Sequence, residues 1–140
     1  MKYLLAAILL LGATGCSGGS TTSPSDANVN GGWVGAINNT ALGREDVTIT
    51  LAQSGSTVSG SWLTSYETTP AVSYSGQLAG TKTGAVVSVA LTPDAIYAGL
   101  ACSYTYNSTL STSTLMAGTF ASFGCPNGVV DSNTLTLTKQ

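Results

Sequence analysis

The amino-acid sequence predicts an all-β domain, an eight-stranded antiparallel barrel with up-and-down connections. The first observation behind this prediction is composition, because only 7% of the 140 residues are charged while 43% are hydrophobic. The polar surface must therefore consist of Ser, Thr, Asn and Gly, which suit exposed strand faces better than helices. The second observation is that apolar and polar residues alternate over short segments. The third observation is that turn-forming residues separate these segments.

Eight segments have the alternation that is typical of half-buried strands. In chain order they cover residues 33–37, 47–53, 58–63, 72–78, 87–91, 102–106, 115–123 and 134–138. Turn-forming residues lie between some of them, at 54–56, 81–84 and 111–114. Short turns predict that consecutive strands pair as antiparallel neighbours. The run Thr92-Pro93-Asp94 predicts a single helical turn after it.

Glycine recurs between two apolar residues on the same strand face, two positions from each of them, as in Val58, Gly60 and Trp62. The glycines of this repeat are Gly31, Gly60, Gly76 and Gly118. Glycine weakens a strand unless a bend or a bulky neighbour needs the space. Eight such strands with one apolar face would close into a barrel that has no free edge. The alternative is a β-sandwich of the immunoglobulin type, although both tryptophans precede Cys102, against the order expected there.

The amino terminus has the pattern of an export signal at residues 1–15. Lys2 provides a positive start, and the apolar run 4–11 is too short to span a bilayer as a helix. The following Ala13-Thr14-Gly15-Cys16 resembles the lipobox of bacterial lipoproteins. That resemblance implies a lipid on Cys16 and attachment to the cell envelope. A plain secretory signal cut near Gly15 is the alternative.

The segment after the lipidation site predicts a flexible tether over residues 16–28, because it is rich in Ser, Gly and Thr. We expect the folded domain to occupy residues 29–140. Since Ser17 rather than Asp follows Cys16, the lipoprotein resemblance implies outer-membrane sorting in a Gram-negative host.

The predicted barrel resembles the small lipocalin and avidin-like barrels over about residues 30–139. The resemblance rests on the entry pair Gly32-Trp33 and on the run Val58-Ser59-Gly60-Ser61-Trp62 after a tight turn. It implies an up-and-down barrel whose interior is either filled by side chains or open to one small ligand.

Cys102 and Cys125 remain once Cys16 is assigned to the lipid. They flank the predicted hairpin at 111–114, and pairing Leu110 with Leu115 would bring them nearly opposite one another. Disulfides persist in exported proteins, so the sequence predicts a structural disulfide rather than reactive thiols or metal ligands.

The inward-facing aromatic residues are candidates for lining a ligand pocket. They are Trp33, Trp62, Tyr74, Tyr104, Tyr106 and Phe120. They could equally form a solid core, and the small number of long aliphatic residues favours a filled interior.

The sequence contains no histidine, which removes the commonest general base, and we predict no catalytic residue, metal site or cofactor. Glu45, Asp46 and Glu67 could converge on one barrel rim, but solvated loop charges beside Arg44 are the expected role. Lys82 and Lys139 are likewise expected to be solvated.

These observations leave three classes of function open. A structural or protein-interaction lipoprotein is the first expectation, a barrel that binds an apolar or aromatic small molecule is the alternative, and an enzyme is the least favoured. The scarcity of cations and a net charge of −2 exclude a nucleic-acid partner and a polybasic membrane patch. Membrane contact is therefore expected only through the lipid on Cys16.

Overall fold

The structure, a computed structural model, describes residues 23–39, 43–67, 72–128 and 130–140. The strands are β1 Gly31–Asn39, β2 Gly43–Ser54, β3 Thr57–Tyr66, β4 Val72–Thr83, β5 Val86–Pro93, β6 Ser103–Thr112, β7 Leu115–Phe123 and β8 Ser132–Lys139. Each strand pairs antiparallel with the next, and β8 closes the barrel against β1. The predicted all-β, up-and-down barrel is confirmed, and the sandwich alternative is wrong.

The strand register puts most of the large apolar residues on the inner face, and Leu63 is an exception that faces outward. Ile49 of β2, for example, lies opposite Trp33 of β1 and Trp62 of β3, and all three are buried. Threonine and serine alternate with them on the outer face. The predicted helical turn is present as a short 3-10 turn, Ala95–Tyr97, between β5 and β6.

Inward-facing glycines let neighbouring strands cross closely. A Cβ at Gly60 would overlap the carbonyl oxygen of Thr50, and a Cβ at Gly76 would overlap that of Thr92. A side chain at either position would force the strands apart. These glycines therefore permit the strong coiling that a small closed barrel requires.

The same glycines allow aromatic side chains to reach across a strand. Trp62 of β3 lies opposite Gly76 of β4, and its indole Nε1 donates to the Thr92 carbonyl oxygen of β5 at 3.3 Å. In β6, the Tyr106 hydroxyl donates at 3.1 Å to the carbonyl oxygen of Leu135, whose register partner in β7 is Gly118. Each buried polar tip thus finds a backbone acceptor.

The hairpin between β6 and β7 differs from the predicted register. Leu110 pairs with Met116 and Thr112 with Leu115, so that Ser111 forms an irregularity where a Leu110–Leu115 pair was expected. The extra residue is accommodated on β6, as in a β-bulge. The sequence pattern could not reveal this insertion because Ser and Thr fill the whole turn.

Cys102 and Cys125 form a disulfide with a Cα–Cα distance of 4.2 Å, as predicted. Cys102 precedes β6 and Cys125 lies in the loop after β7. The bond therefore ties together two connections at the same end of the barrel.

The opposite end of the barrel, here called the closed end, is covered by residues 23–30, which precede β1 and are called the amino-terminal segment. Ala27 and Val29 are buried there, and the Val29 carbonyl oxygen accepts a 2.8 Å hydrogen bond from Trp33 Nε1. Lys82, expected to be solvated, is only 7% exposed, and its Nζ donates to the Ser25 carbonyl oxygen at 2.9 Å. Within the described residues, contacts with the barrel thus reach back at least to Ser25, before the domain boundary expected at residue 29.

Lys139 is partly exposed but also contacts the amino-terminal segment. Its Nζ donates at 3.2 Å to the Asn28 carbonyl oxygen and lies 5.6 Å from the centre of the Trp33 ring. Both lysines of the barrel therefore hold the amino-terminal segment in place.

The predicted signal at residues 1–15 and the predicted lipidation site Cys16 lie outside the described residues. Within the part of the chain that is described, no helix is long and apolar enough to cross a membrane.

Candidate ligand pocket at the open end

The end of the barrel opposite the amino-terminal segment contains a cavity of about 330 Å³. We call this end the open end and the cavity the tyrosine pocket. The residues that line it are Tyr66, Val72, Tyr74, Leu100, Ala101, Cys102, Tyr104, Pro126 and Asn127. They come from β3, β4 and β6, from the connection before β6 and from the connection after β7. The volume is at the lower limit of typical small-molecule sites.

Below this pocket the barrel is filled by side chains. Trp62 packs edge-on against Tyr104 with ring centres 5.5 Å apart, and Tyr104 stacks on Phe120 at 4.8 Å. Trp33 and Tyr106 are fully buried within the same core. The interior is therefore solid towards the closed end and hollow near the open end.

The structure thus divides the six aromatic residues that were candidates for lining a pocket. Tyr74 and Tyr104 line the tyrosine pocket, whereas Trp33, Trp62, Tyr106 and Phe120 belong to the packed core. Tyr66 also lines the pocket but was not among the candidates. Alternation could have identified it, because Trp62, Thr64 and Tyr66 share the inner face of β3.

Tyrosine rings form one side of the pocket. Tyr74 makes edge contacts with Tyr66 at 6.1 Å and with Tyr97 of the 3-10 turn at 5.4 Å. The hydroxyl groups of Tyr66 and Tyr104 lie 3.4 Å apart across the barrel. The pocket therefore offers both ring surfaces and hydroxyl groups to a ligand.

Glu45 lies inside the barrel beside these tyrosines. It is opposite Tyr66 in the register, is 4% exposed, and its Oε1 has no hydrogen-bond partner among the described residues. Burial raises the pKa of its carboxyl, which a hydrogen bond from the Tyr66 hydroxyl partly offsets and the charge of Asp131 reinforces. A buried carboxyl with an unsatisfied oxygen is costly and is typical of functional sites.

A second unsatisfied oxygen lies close to Glu45. Thr64 is fully buried, and its Oγ1 has no partner among the described residues. Thr64 pairs with Val47, the next inward residue after Glu45 along β2. Two unsatisfied oxygens on adjacent strands mark a polar region in an otherwise apolar interior.

Burial also raises the pKa of the tyrosine hydroxyls. Burial raises the pKa of Tyr66 and of Tyr104, whose hydroxyls are near each other and near Glu45. It also raises the pKa of Tyr106, in the core, to about 12. The hydroxyl groups of Tyr66 and Tyr104 are therefore uncharged hydrogen-bonding groups around neutral pH.

The two other acidic residues expected near Arg44 lie outside the barrel wall. Arg44 contacts Asp46 at 2.7 Å and Glu67 at 3.8 Å, and all three side chains are about half exposed or more. They are surface charges, as expected. For Glu45, the expectation of a solvated loop charge is wrong. The alternation of β2, extended back from Val47, places Glu45 on the inner face of the barrel.

The disulfide holds one side of the pocket. Cys102 contributes to the lining directly, and Pro126 and Asn127 follow Cys125 along the chain. The covalent bond therefore fixes the connection after β7 against the start of β6, where it forms part of the pocket.

Comparisons of the chain with models of protein families, with curated proteins and with solved structures found no match. The likeness to lipocalins is thus one of architecture, a closed eight-stranded antiparallel barrel.

Proposed function

We propose that this chain is a lipid-anchored binding protein of the bacterial cell envelope, whose barrel takes a small ring-bearing or apolar molecule into the tyrosine pocket. The observation that carries the proposal is the combination of a hollow open end with a solid closed end. A barrel with a purely structural role gains stability by filling its whole interior. Here the aromatic side chains leave a concave site with convergent hydroxyl groups.

The position of the amino-terminal segment supports this proposal. That segment packs on the closed end through Val29 and Ser25, so a lipid on Cys16 would attach the barrel by the end opposite the tyrosine pocket. The tyrosine pocket would then open away from the membrane. Under this proposal the protein resides in the cell envelope, in the outer membrane if the host is Gram-negative.

Native mass spectrometry of the full chain, purified from its own host, tests the proposal. We expect a fraction of the protein to carry a reproducible additional mass that dissociates on mild activation. Tyr74→Ala should reduce that fraction because it removes one side of the pocket. Leu63→Ala is the matched control, because Leu63 is an exposed residue on the outer face. Protein without a bound molecule in both wild type and control would contradict the proposal.

A protein-interaction role is the second candidate, because large apolar side chains are exposed at the same end. Ile96 and Leu100 lie in the connection before β6, and Val130 lies in the connection before β8. Exposed apolar groups that lie together can mark a protein-binding surface. Replacing Ile96 and Val130 by Ser, both outside the pocket lining, should abolish a protein complex but leave the small-molecule mass of the native spectrum unchanged.

A further inference from the structure

We infer that the tyrosine pocket selects a small organic cation, an aromatic ring that carries an ammonium group on a short alkyl arm, and that Glu45 supplies the selecting charge. This inference rests on the proposed function, since it names the chemical class of the ligand. Three observations carry it: the partly unpartnered carboxyl, the tyrosine rings, and the distribution of charge over the barrel.

The carboxyl of Glu45 provides the first argument. It points into the barrel, is nearly inaccessible to solvent, and shares a hydrogen bond with Tyr66, a residue of the pocket lining. Its Oε1 lacks a partner among the described residues. A buried carboxylate is costly without a compensating cation, and an ammonium group in the adjoining pocket supplies that charge.

The tyrosines provide the second argument. The rings of Tyr66, Tyr74 and Tyr104 line the pocket. The π density of an aromatic ring attracts a cation, and more strongly once water is excluded. When the Tyr66 hydroxyl donates to Glu45, its oxygen keeps lone pairs that can accept from an ammonium. Tyr66 thereby relays the charge of Glu45 to the pocket, so the ligand need not touch the carboxyl itself.

The distribution of charged residues provides the third argument. Five of the six acidic residues lie at the open end: Glu45, Asp46, Glu67, Asp94 and Asp131. Arg44 is the cation at this end, whereas Lys82 and Lys139 are held at the closed end by the amino-terminal segment. The resulting negative potential at the mouth of the pocket attracts cations and repels anions.

The behaviour of Glu45 in the free protein agrees with this assignment. Burial disfavours its ionised form and so raises its pKa. An ammonium bound nearby favours the ionised form in return. A bound ammonium therefore offsets part of the cost of ionising the buried carboxyl.

Two probe molecules of the same shape test the inference. Benzylammonium and benzyl alcohol share a ring and a one-carbon arm but differ in charge. We would titrate each into the full exported chain and follow the backbone amide resonances of Tyr66, Tyr74 and Tyr104. We expect benzylammonium to bind at least about tenfold more tightly than benzyl alcohol.

Glu45→Gln should remove that preference while leaving the affinity for benzyl alcohol within about twofold of wild type. Asp26→Asn is the matched control, because it makes the same change in charge at an exposed position at the closed end and should keep the preference. Thermal unfolding of both variants verifies that they are folded.

The outcomes separate this inference from the proposed function. If neither probe perturbs the pocket residues, the proposed function itself fails. If both probes bind equally to the wild type, the pocket binds ligands but the selection of cations is wrong. If the preference persists in Glu45→Gln, the role of Glu45 is wrong.

Discussion

Trp62 shows how a single side chain connects three strands of the barrel. Its ring is 2% exposed, lies opposite Gly76 and donates to the backbone of β5. Trp62→Ala should lower the free energy of unfolding by about 3–5 kcal/mol, the usual cost of removing a buried tryptophan. Chemical denaturation measures this change.

The control for Trp62 is its neighbour Leu63, which faces outward and is 45% exposed. Leu63→Ala should change the free energy of unfolding by less than about 1 kcal/mol, as is typical of surface positions. A loss below about 1 kcal/mol for Trp62→Ala as well would show that the core does not depend on this ring.

Glu45 should make stability depend on pH. Its pKa is raised above the ordinary value of 4.5 in the folded protein, so folding favours its protonated form. The stability that this group contributes is fully present below about pH 4.5 and is lost as pH rises through the folded pKa. Glu45→Gln should therefore lose less stability than wild type between pH 4.5 and pH 8, measured by urea denaturation.

Asp26→Asn should follow the wild-type pH profile, because its side chain is exposed at the closed end. An identical decline in stability for wild type and Glu45→Gln would mean that burial of the carboxyl does not control its ionisation.

At the scale of single residues, alternation identified most of the inner face but not its division into core and pocket. Tyr74, Tyr104, Tyr106 and Phe120 follow the same inward pattern, yet only the first two line the cavity. The difference arises from their height along the barrel axis, which depends on register. Register follows from packing between strands and is not contained in the period of one strand.

At the scale of strands, the inward glycines determine how tightly the sheet coils. Gly76→Ala should lower the free energy of unfolding by about 1–3 kcal/mol, because the added Cβ would overlap the Thr92 carbonyl oxygen and lie 2.8 Å from Pro93 Cα. Gly32→Ala is the control, since its Cβ would meet only Gln140 at 3.8 Å and should cost little. Equal effects of the two changes on thermal unfolding would contradict the close crossing.

The strands themselves were predictable because polar and apolar residues alternate strictly in most of them. The hairpins were predictable where glycine marks the turn, as at Gly55 and Gly84. The turn at 111–114 lacks glycine, and there the predicted register was wrong by one residue. The accuracy of the predicted strand pairing thus depended more on the residues in the turns than on the alternation within the strands.

At the scale of the whole molecule, we propose that one barrel end carries the anchor and the other binds the ligand. Cys16→Ala should release the protein from membranes, because the lipid is the anchor that we propose. Fractionation with acyl labelling measures this. Ser17→Ala, next to the proposed lipidation site, should remain acylated and membrane-bound. Membrane retention of an unacylated Cys16→Ala protein would contradict the anchor.

The central claim is that the open end of the barrel is built to hold a small molecule. The most direct test is a crystal structure, at a resolution that reveals bound small molecules, of the chain purified from its own host. We expect electron density in the pocket against Tyr66, Tyr74 and Tyr104, from a molecule whose ammonium group lies near the Tyr66–Glu45 hydrogen bond. This expectation would be contradicted if these three side chains, or the loop around Leu100, filled the cavity and left no space for a ligand.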